Sequence, residues 1–287
     1  MTSGNEPVLR GMPAPSGSAR YSLNTASVRC NFEDFVHAAR SSGFGGLEIW
    51  QSDIGEKMPE ALARELLASN GLEISAFQLL RDFEGAPDHL RSERLIEAEK
   101  LMSQMTGLGA RTLLLCANTS EECSSDPRVI AADLRMLADM AAERGLSVAL
   151  EPLVWSKKLN RYEDALACVL ALDHRALGLM VDSFHWFWAG TPIEFARQIP
   201  PSKYLGMQVC NVERCDLPPL QVARHHRLFP CEGIWPISDL IREVRSAGYD
   251  GLINFEVFND AYKGLTAAKF GDLAARSAAR LNDAFEN

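Results

Sequence analysis

Eight short apolar runs, each followed by a stretch of helical periodicity, divide the chain from Tyr21 onward at fairly even spacing. The runs cover 21–26, 46–50, 72–79, 111–116, 146–151, 176–182, 203–209 and 252–256. The intervening helices are expected over 31–42, 59–70, 90–107, 127–144, 162–172, around 192–198, 237–247 and 267–284. Phe32, Phe35, Val36 and Ala39 fall at helical spacing in the first of these, and Gly43, Gly71 and Gly145 follow helices as stops. Strand–helix alternation implies a parallel sheet, and eight repeats without a break in composition imply one closed (β/α)₈ TIM barrel, α/β in class, over residues 20–287. A doubly wound open sheet is the alternative, but no G-x-G-x-x-G follows the first run. The connection over 210–233 is long enough to suggest a functional loop.

Several strands end on polar residues. Val148-Ala149-Leu150 runs into Glu151, Leu179-Met180-Val181 into Asp182, and Leu252-Ile253-Asn254-Phe255 into Glu256, while Tyr204-Leu205-Gly206-Met207 delivers Gln208. A barrel carries its active site at these C-terminal strand ends. Three carboxylates and an amide converging there suit a divalent cation, with the neutral Gln208 the weakest donor. A lone strand-end carboxylate more often caps a helix or pairs with a lysine; four together without a cation would be costly. His185, three residues past Asp182, is a candidate acid/base, or a packed ring beside Trp186 and Trp188.

The formal charge of −9 argues against nucleic acid as a partner, and no apolar run is long enough to cross a membrane. Basic residues are scattered, except for Arg224-His225-His226-Arg227. The Leu228-Phe229-Pro230 that follows suggests that this loop folds onto the barrel and offers an arginine to an anionic substrate group. Arg81 either binds substrate or pairs with Asp82 or Glu84. Lys157 and Lys158 face the pocket or solvent, and Trp50 and Trp155 wall the cavity or pack beneath it. Seven cysteines without a Cys-x-x-Cys pair read as reduced thiols of a cytoplasmic protein, and the Gly-, Pro- and Ser-rich residues 1–19 as a disordered leader. G-x-S-x-G, P-loop and H-E-x-x-H motifs are absent. A cation in such a pocket stabilises an enolate, from which epimerisation, isomerisation and dehydration are all open.

Five stretches carry a resemblance: Phe77-Gln78 through Arg81-Asp82-Phe83-Glu84-Gly85; Glu151-Pro152-Leu153 with Trp155; Asp182-Ser183-Phe184-His185; Arg224-His225-His226-Arg227 with Phe229-Pro230; and Glu256-Val257-Phe258-Asn259-Asp260. From Tyr21 onward the chain resembles the sugar phosphate isomerase/epimerase superfamily of xylose isomerase-like barrels, and within it the bacterial metal-dependent 3-dehydroshikimate dehydratases. The resemblance implies a lyase forming protocatechuate. It implies a Mg²⁺, Mn²⁺ or Co²⁺ ion held by Glu151, Asp182, Gln208 and Glu256, and His185 as acid/base. Arg81 and Arg224 stand near the substrate, with Gln78, Lys157 and His225 as further candidate contacts. The substrate is a small, anionic molecule, and a homo-oligomer is compatible with the chain. Two other readings are an epimerase or isomerase using Glu151 and Glu256 as opposed bases, and a binding barrel without turnover. The chain departs from the dehydratase pattern at Gln51-Ser52-Asp53, Ser156-Lys157-Lys158, Asn211 and Cys231-Glu232-Gly233, on loops above the expected pocket.

Overall fold

A computed structural model describes residues 20–286; the leader expected over 1–19 lies outside them. Eight strands run β1 (Tyr21–Asn24), β2 (Gly46–Trp50), β3 (Glu73–Arg81), β4 (Thr112–Cys116), β5 (Ser147–Glu151), β6 (Leu177–Asp182), β7 (Tyr204–Val209) and β8 (Ile253–Phe255). Each pairs in parallel with the next, and β8 pairs with β1, which closes the expected barrel. The surrounding helices are α1 (Phe32–Ser41), α2 (Glu60–Ser69), α3 (Asp88–Leu108), α4 (Pro127–Glu143), α5 (Tyr162–Leu172), α6 (Ser183–Trp188), α7 (Pro219–His225), α8 (Ile237–Ser246) and α9 (Ala267–Glu286). No helix among the described residues is long and apolar enough to cross a membrane. All seven cysteines are free, with Cys30 and Cys215 exposed.

Local chemistry sets the boundaries. The Asn31 side chain accepts from the Asp34 amide to start α1, and Asp126 caps α4, with Pro127 in its first turn. Four expectations need correction. The first strand stops at Asn24, because its side chain accepts from Ala26 N and bends the chain into a 3₁₀ turn over Thr25–Ser27. The third strand continues to Arg81. The segment expected as a helix around 192–198 is 3₁₀ over Ile193–Gln198, and α6 comes before it, started by Asp182 Oδ1 accepting from Phe184 N at 2.8 Å. The 210–233 connection contains a two-turn helix, α7, whose last turn carries Arg224 and His225.

The barrel interior is chemically lopsided. On one side Ala76, Leu79, Leu114, Cys116, Ala149, Leu153 and Met180 form a compact apolar cluster. Gly206 makes room for it: a Cβ there would come within 2.6 Å of both the Met180 sulfur and its methyl carbon. The opposite side, from β1, β2, β7 and β8, is polar: Ser22, Asn24, Glu48, Gln208 and Asn254 are buried and partly hydrogen-bonded to one another. Polar groups kept out of water on that scale need partners, and several find them at the C-terminal end of the barrel, although Gln208 Oε1 and Asn254 Oδ1 are left without one.

A second buried acid lies outside the barrel, in the loop after β3. Glu84 is 2% exposed and its Oε1 accepts from Asn118 N at 2.5 Å. Burial pushes its carboxyl up from 4.5 to about 8, further than the Asn118 hydrogen bond can offset. Folding therefore holds a proton that the unfolded chain releases. The associated stability is complete below pH 4.5 and is lost as pH rises to 8. Wild type should lose on the order of 4 kcal/mol relative to Glu84→Gln between pH 4.5 and 8. Denaturation curves of the two proteins that stay parallel across this range would show that Glu84 does not carry the proton.

Candidate active site

The functional side chains are delivered by strand ends. Glu151 is the last residue of β5, Asp182 the last of β6, Gln208 the penultimate residue of β7, and Glu256 follows β8 directly. Asp182 and Gln208 are register partners. All four are buried, Asp182 and Gln208 completely. Glu151, Asp182 and His185 form a compact group, with one donor atom from each within 4.8 Å of the others. Glu256 and Gln208 join it through hydrogen bonds. Gln208 Nε2 donates to Glu256 Oε1 at 3.1 Å, and Arg227 Nη1 donates to Asp182 Oδ2 at 3.0 Å and to Glu256 Oε2 at 2.8 Å.

Two residues that sequence reasoning missed organise this cluster. Glu48, in the middle of β2, accepts from Gln208 Nε2 at 2.6 Å. With its N–H groups committed to Glu48 and Glu256, Gln208 is left with a buried amide oxygen that has no partner. An acceptor oriented in this way, beside carboxylates, fits a hard divalent cation, and the orienting groups matter to such a site almost as much as its ligands. The signal for Glu48 was its place between Leu47 and Ile49, a charge at the centre of a strand covered on both faces. Arg227 is the other. The sequence points to Arg224 within the basic run, whereas Arg227 is the buried member, with its guanidinium carbon 4.8 Å from the Phe184 ring centre.

Electrostatics follow from burial. Desolvation raises Glu151 and Glu48 well above the usual carboxylate range, with neighbouring carboxylates adding to it, and raises Glu256 to about 7 despite the Arg227 pairing. His185 moves the other way, down to about 3, because burial outweighs the pull of Asp182. Its imidazole is therefore neutral. Nδ1 accepts from Val154 N at 3.2 Å, and Nε2 faces Asp182 Oδ2 and Glu151 Oε1 at 3.8 and 3.9 Å. The Cys116 thiol donates to Glu151 Oε2 at 3.1 Å.

Above the cluster lies a cavity of about 240 Å³ whose lining includes Glu151, His185, Glu256, Gln78, Arg81 and Arg224. Trp50 and Trp155 also wall it. Asp182 and Gln208 are not among the residues that line it. Two expected substrate contacts are not brought to it. Lys157 turns to Glu121 and His225 pairs with Asp260 at 3.0 Å, while its neighbour Arg224, though exposed, lines the cavity. Neither the Arg81 nor the Arg224 guanidinium makes a hydrogen bond or ion pair among the described residues. Of the departures from the dehydratase pattern, Asn211 is structural: its side chain bonds Pro230 O, Trp235 O and Trp235 N and ties down the long loop.

A closed parallel barrel with an oxygen-rich acidic cluster at its C-terminal mouth defines a class of small-molecule barrel proteins. The chain belongs to the xylose isomerase-like TIM barrel family, whose profile matches residues 36–283. It is 33% identical over 244 residues to a 3-dehydroshikimate dehydratase of Pseudomonas aeruginosa, covering 84% of this chain and 38% of that protein. The chain thus spans well under half the length of the two Pseudomonas dehydratases that it matches. An inosose isomerase of Bacillus velezensis is 23% identical over 254 residues, 85% of this chain and 89% of that one. Among solved structures, a xylose isomerase-like TIM barrel/4-hydroxyphenylpyruvate dioxygenase fusion protein superimposes with a TM-score of 0.87 at 28% identity, covering 92% of this chain and 43% of that chain. The IolI protein, solved with a bound zinc atom, shares the fold, with a TM-score of 0.81 at 19% identity over 92% of this chain and 98% of that one. The dehydratase and the inosose isomerase are enzymes by name.

Arg227 is the positive charge among these carboxylates, so its loss leaves them uncompensated. In chelator, Arg227→Met should cost about 3–5 kcal/mol of stability. A divalent cation should restore part of that loss by taking over the compensation. Calorimetry in EDTA and in Mn²⁺ measures both. An equal loss in the two conditions would mean that the ion does not bind among the partners of Arg227.

Proposed function

We propose that this chain is a divalent-cation-dependent dehydratase that converts 3-dehydroshikimate to protocatechuate and water. The observation that carries the reading is the pairing of two uncompensated arginines, Arg81 and Arg224, with an oxygen-rich cluster in one cavity. Such a site takes a small molecule with a carboxylate at one end and a carbonyl with neighbouring hydroxyls at the other. The dehydratase relatives support the same substrate.

Glu151, Asp182, Gln208 and Glu256 would hold the cation, which supplies Lewis acidity toward the substrate carbonyl. Arg81 and Arg224 bind the carboxylate and orient the ring. The aromatic walls, Trp50 and Trp155, limit water. The proton on the carbon between the carbonyl and the departing hydroxyl is then removed. Its electron pair forms a carbon–carbon double bond, hydroxide leaves with a proton as water, and a second proton shift makes the ring aromatic. His185 serves this proton traffic as a neutral imidazole. With Nδ1 accepting from Val154, the ring hydrogen sits on Nε2. Accepting a substrate proton at Nε2 therefore requires the other tautomer and gives up the Val154 contact.

An isomerase with Glu151 and Glu256 as opposed bases has less support. Both Glu256 oxygens already accept hydrogen bonds, Oε1 from Asn24 at 2.9 Å and from Gln208, Oε2 from Arg227.

Incubation with 3-dehydroshikimate and Mn²⁺ should produce the ultraviolet absorbance of a catechol acid. Silence in that assay, with turnover of inosose in its place, would sink the dehydratase reading. His185→Ala should lower kcat by roughly 10²–10⁴-fold while leaving cation affinity unchanged by titration calorimetry. Turnover close to wild type would remove His185 from the chemistry.

A further inference from the structure

Arg81 ends β3, and the main chain beyond it is held unusually firmly. Asp82 adopts a φ of 52°, and its carboxylate accepts from Thr119 N at 2.8 Å and Thr119 Oγ1 at 3.1 Å. Glu84 then reaches under the same neighbouring loop. Its Oε1 accepts from Asn118 N, and its carbonyl accepts from Asn118 Nδ2 at 2.8 Å. Gly85, at a φ of 69°, donates to Asp133 Oδ2 at 2.8 Å, and a Cβ there would meet Cys123 Sγ at 2.9 Å. Asp133 is itself fixed by Arg91. Asn118 extends the tie to a third loop, since its carbonyl accepts from Lys157 N at 3.0 Å.

The three loops joined at Asn118 are those that present Arg81, Thr119 and Trp155 to the cavity. The joint is costly to keep. Glu84 Oε2 is buried with no partner, a cost set against the single hydrogen bond that Oε1 accepts from Asn118 N. A stable fold does not need that arrangement, but an arginine that must meet an anion in one orientation does. A guanidinium on a long, rotamer-rich stem loses much of its binding contribution to ordering unless its base is already fixed.

We propose that the Glu84–Asn118 clasp is a positioning device that holds the 81–86 loop so that Arg81 meets the substrate carboxylate in a fixed orientation. This rests on the reading of Arg81 as the partner of that carboxylate. Glu84 touches no reacting atom; it acts through Arg81.

The test is binding rather than turnover, by titration calorimetry of cation-loaded protein with protocatechuate and with catechol, which lacks the carboxylate. Glu84→Ala should weaken protocatechuate about tenfold and leave catechol within about twofold. Glu84→Gln, whose amide oxygen still accepts from Asn118 N, should stay within about threefold of wild type for both. Arg81→Ala/Glu84→Ala should bind protocatechuate no more weakly than Arg81→Ala alone, because the two losses are one interaction. Should Glu84→Ala not fold, Asn118→Ala in the same cycle with Arg81→Ala carries the test, since it removes the bond to the Glu84 carbonyl. Additive losses, or equal weakening of catechol, overturn the clasp while Arg81 keeps its role. Arg81→Ala binding protocatechuate as wild type does overturns both the anchor and the clasp.

Discussion

Four carboxylates, Glu48, Glu151, Asp182 and Glu256, are buried together at one end of a closed barrel, and Arg227 is the cation built in among them. Like charges out of water repel strongly, and removing them from solvent is itself expensive. The chain answers with a network: Arg227 on Asp182 and Glu256, Asn24 and Gln208 on Glu256, Gln208 on Glu48, and the Cys116 thiol on Glu151. The network is incomplete, because an amide oxygen of Gln208 and much of the acidity remain uncompensated. That deficit of positive charge makes a divalent cation the natural completion of the site.

The lopsided barrel interior follows from the same requirement. Polar residues gather on β1, β2, β7 and β8, where they support the acidic cluster, and apolar ones fill β3 to β6. Packing density is kept by small concessions such as Gly206, which gives way to Met180. The site therefore stands on rigid strands, and the loops above it remain free to choose what enters.

The loops above the site differ in how they are held. Asn211 locks the long connection after β7 by four hydrogen bonds to the main chain, three of them to Pro230 and Trp235. Lys157, in the loop after β5, pairs with Glu121 outside the cavity. On the proposed reading, cation chemistry and substrate choice are separable: the first would reside in strand ends, the second in Arg81, Arg224 and the segments that aim them.

The barrel and the placing of Glu151, Asp182, Gln208 and Glu256 at its strand ends were readable from the sequence, because period and polarity are local. Apolar runs of strand length broken at regular intervals admit few topologies, and a carboxylate ending such a run can point only at the mouth. Glu48, Arg227 and the Glu84–Asn118 tie were not readable in the same way. Their roles depend on partners 160, 45 and 34 residues away in the chain, and nothing local distinguishes a buried arginine from its exposed neighbours in a run of four basic residues. Composition and spacing determined that oxygen donors would meet at one end of a closed sheet. Only the tertiary structure decided which charges compensate them, which arginines remain free for a ligand, and which side chains of the basic run turn away, because those outcomes are set by burial and by contacts between distant segments.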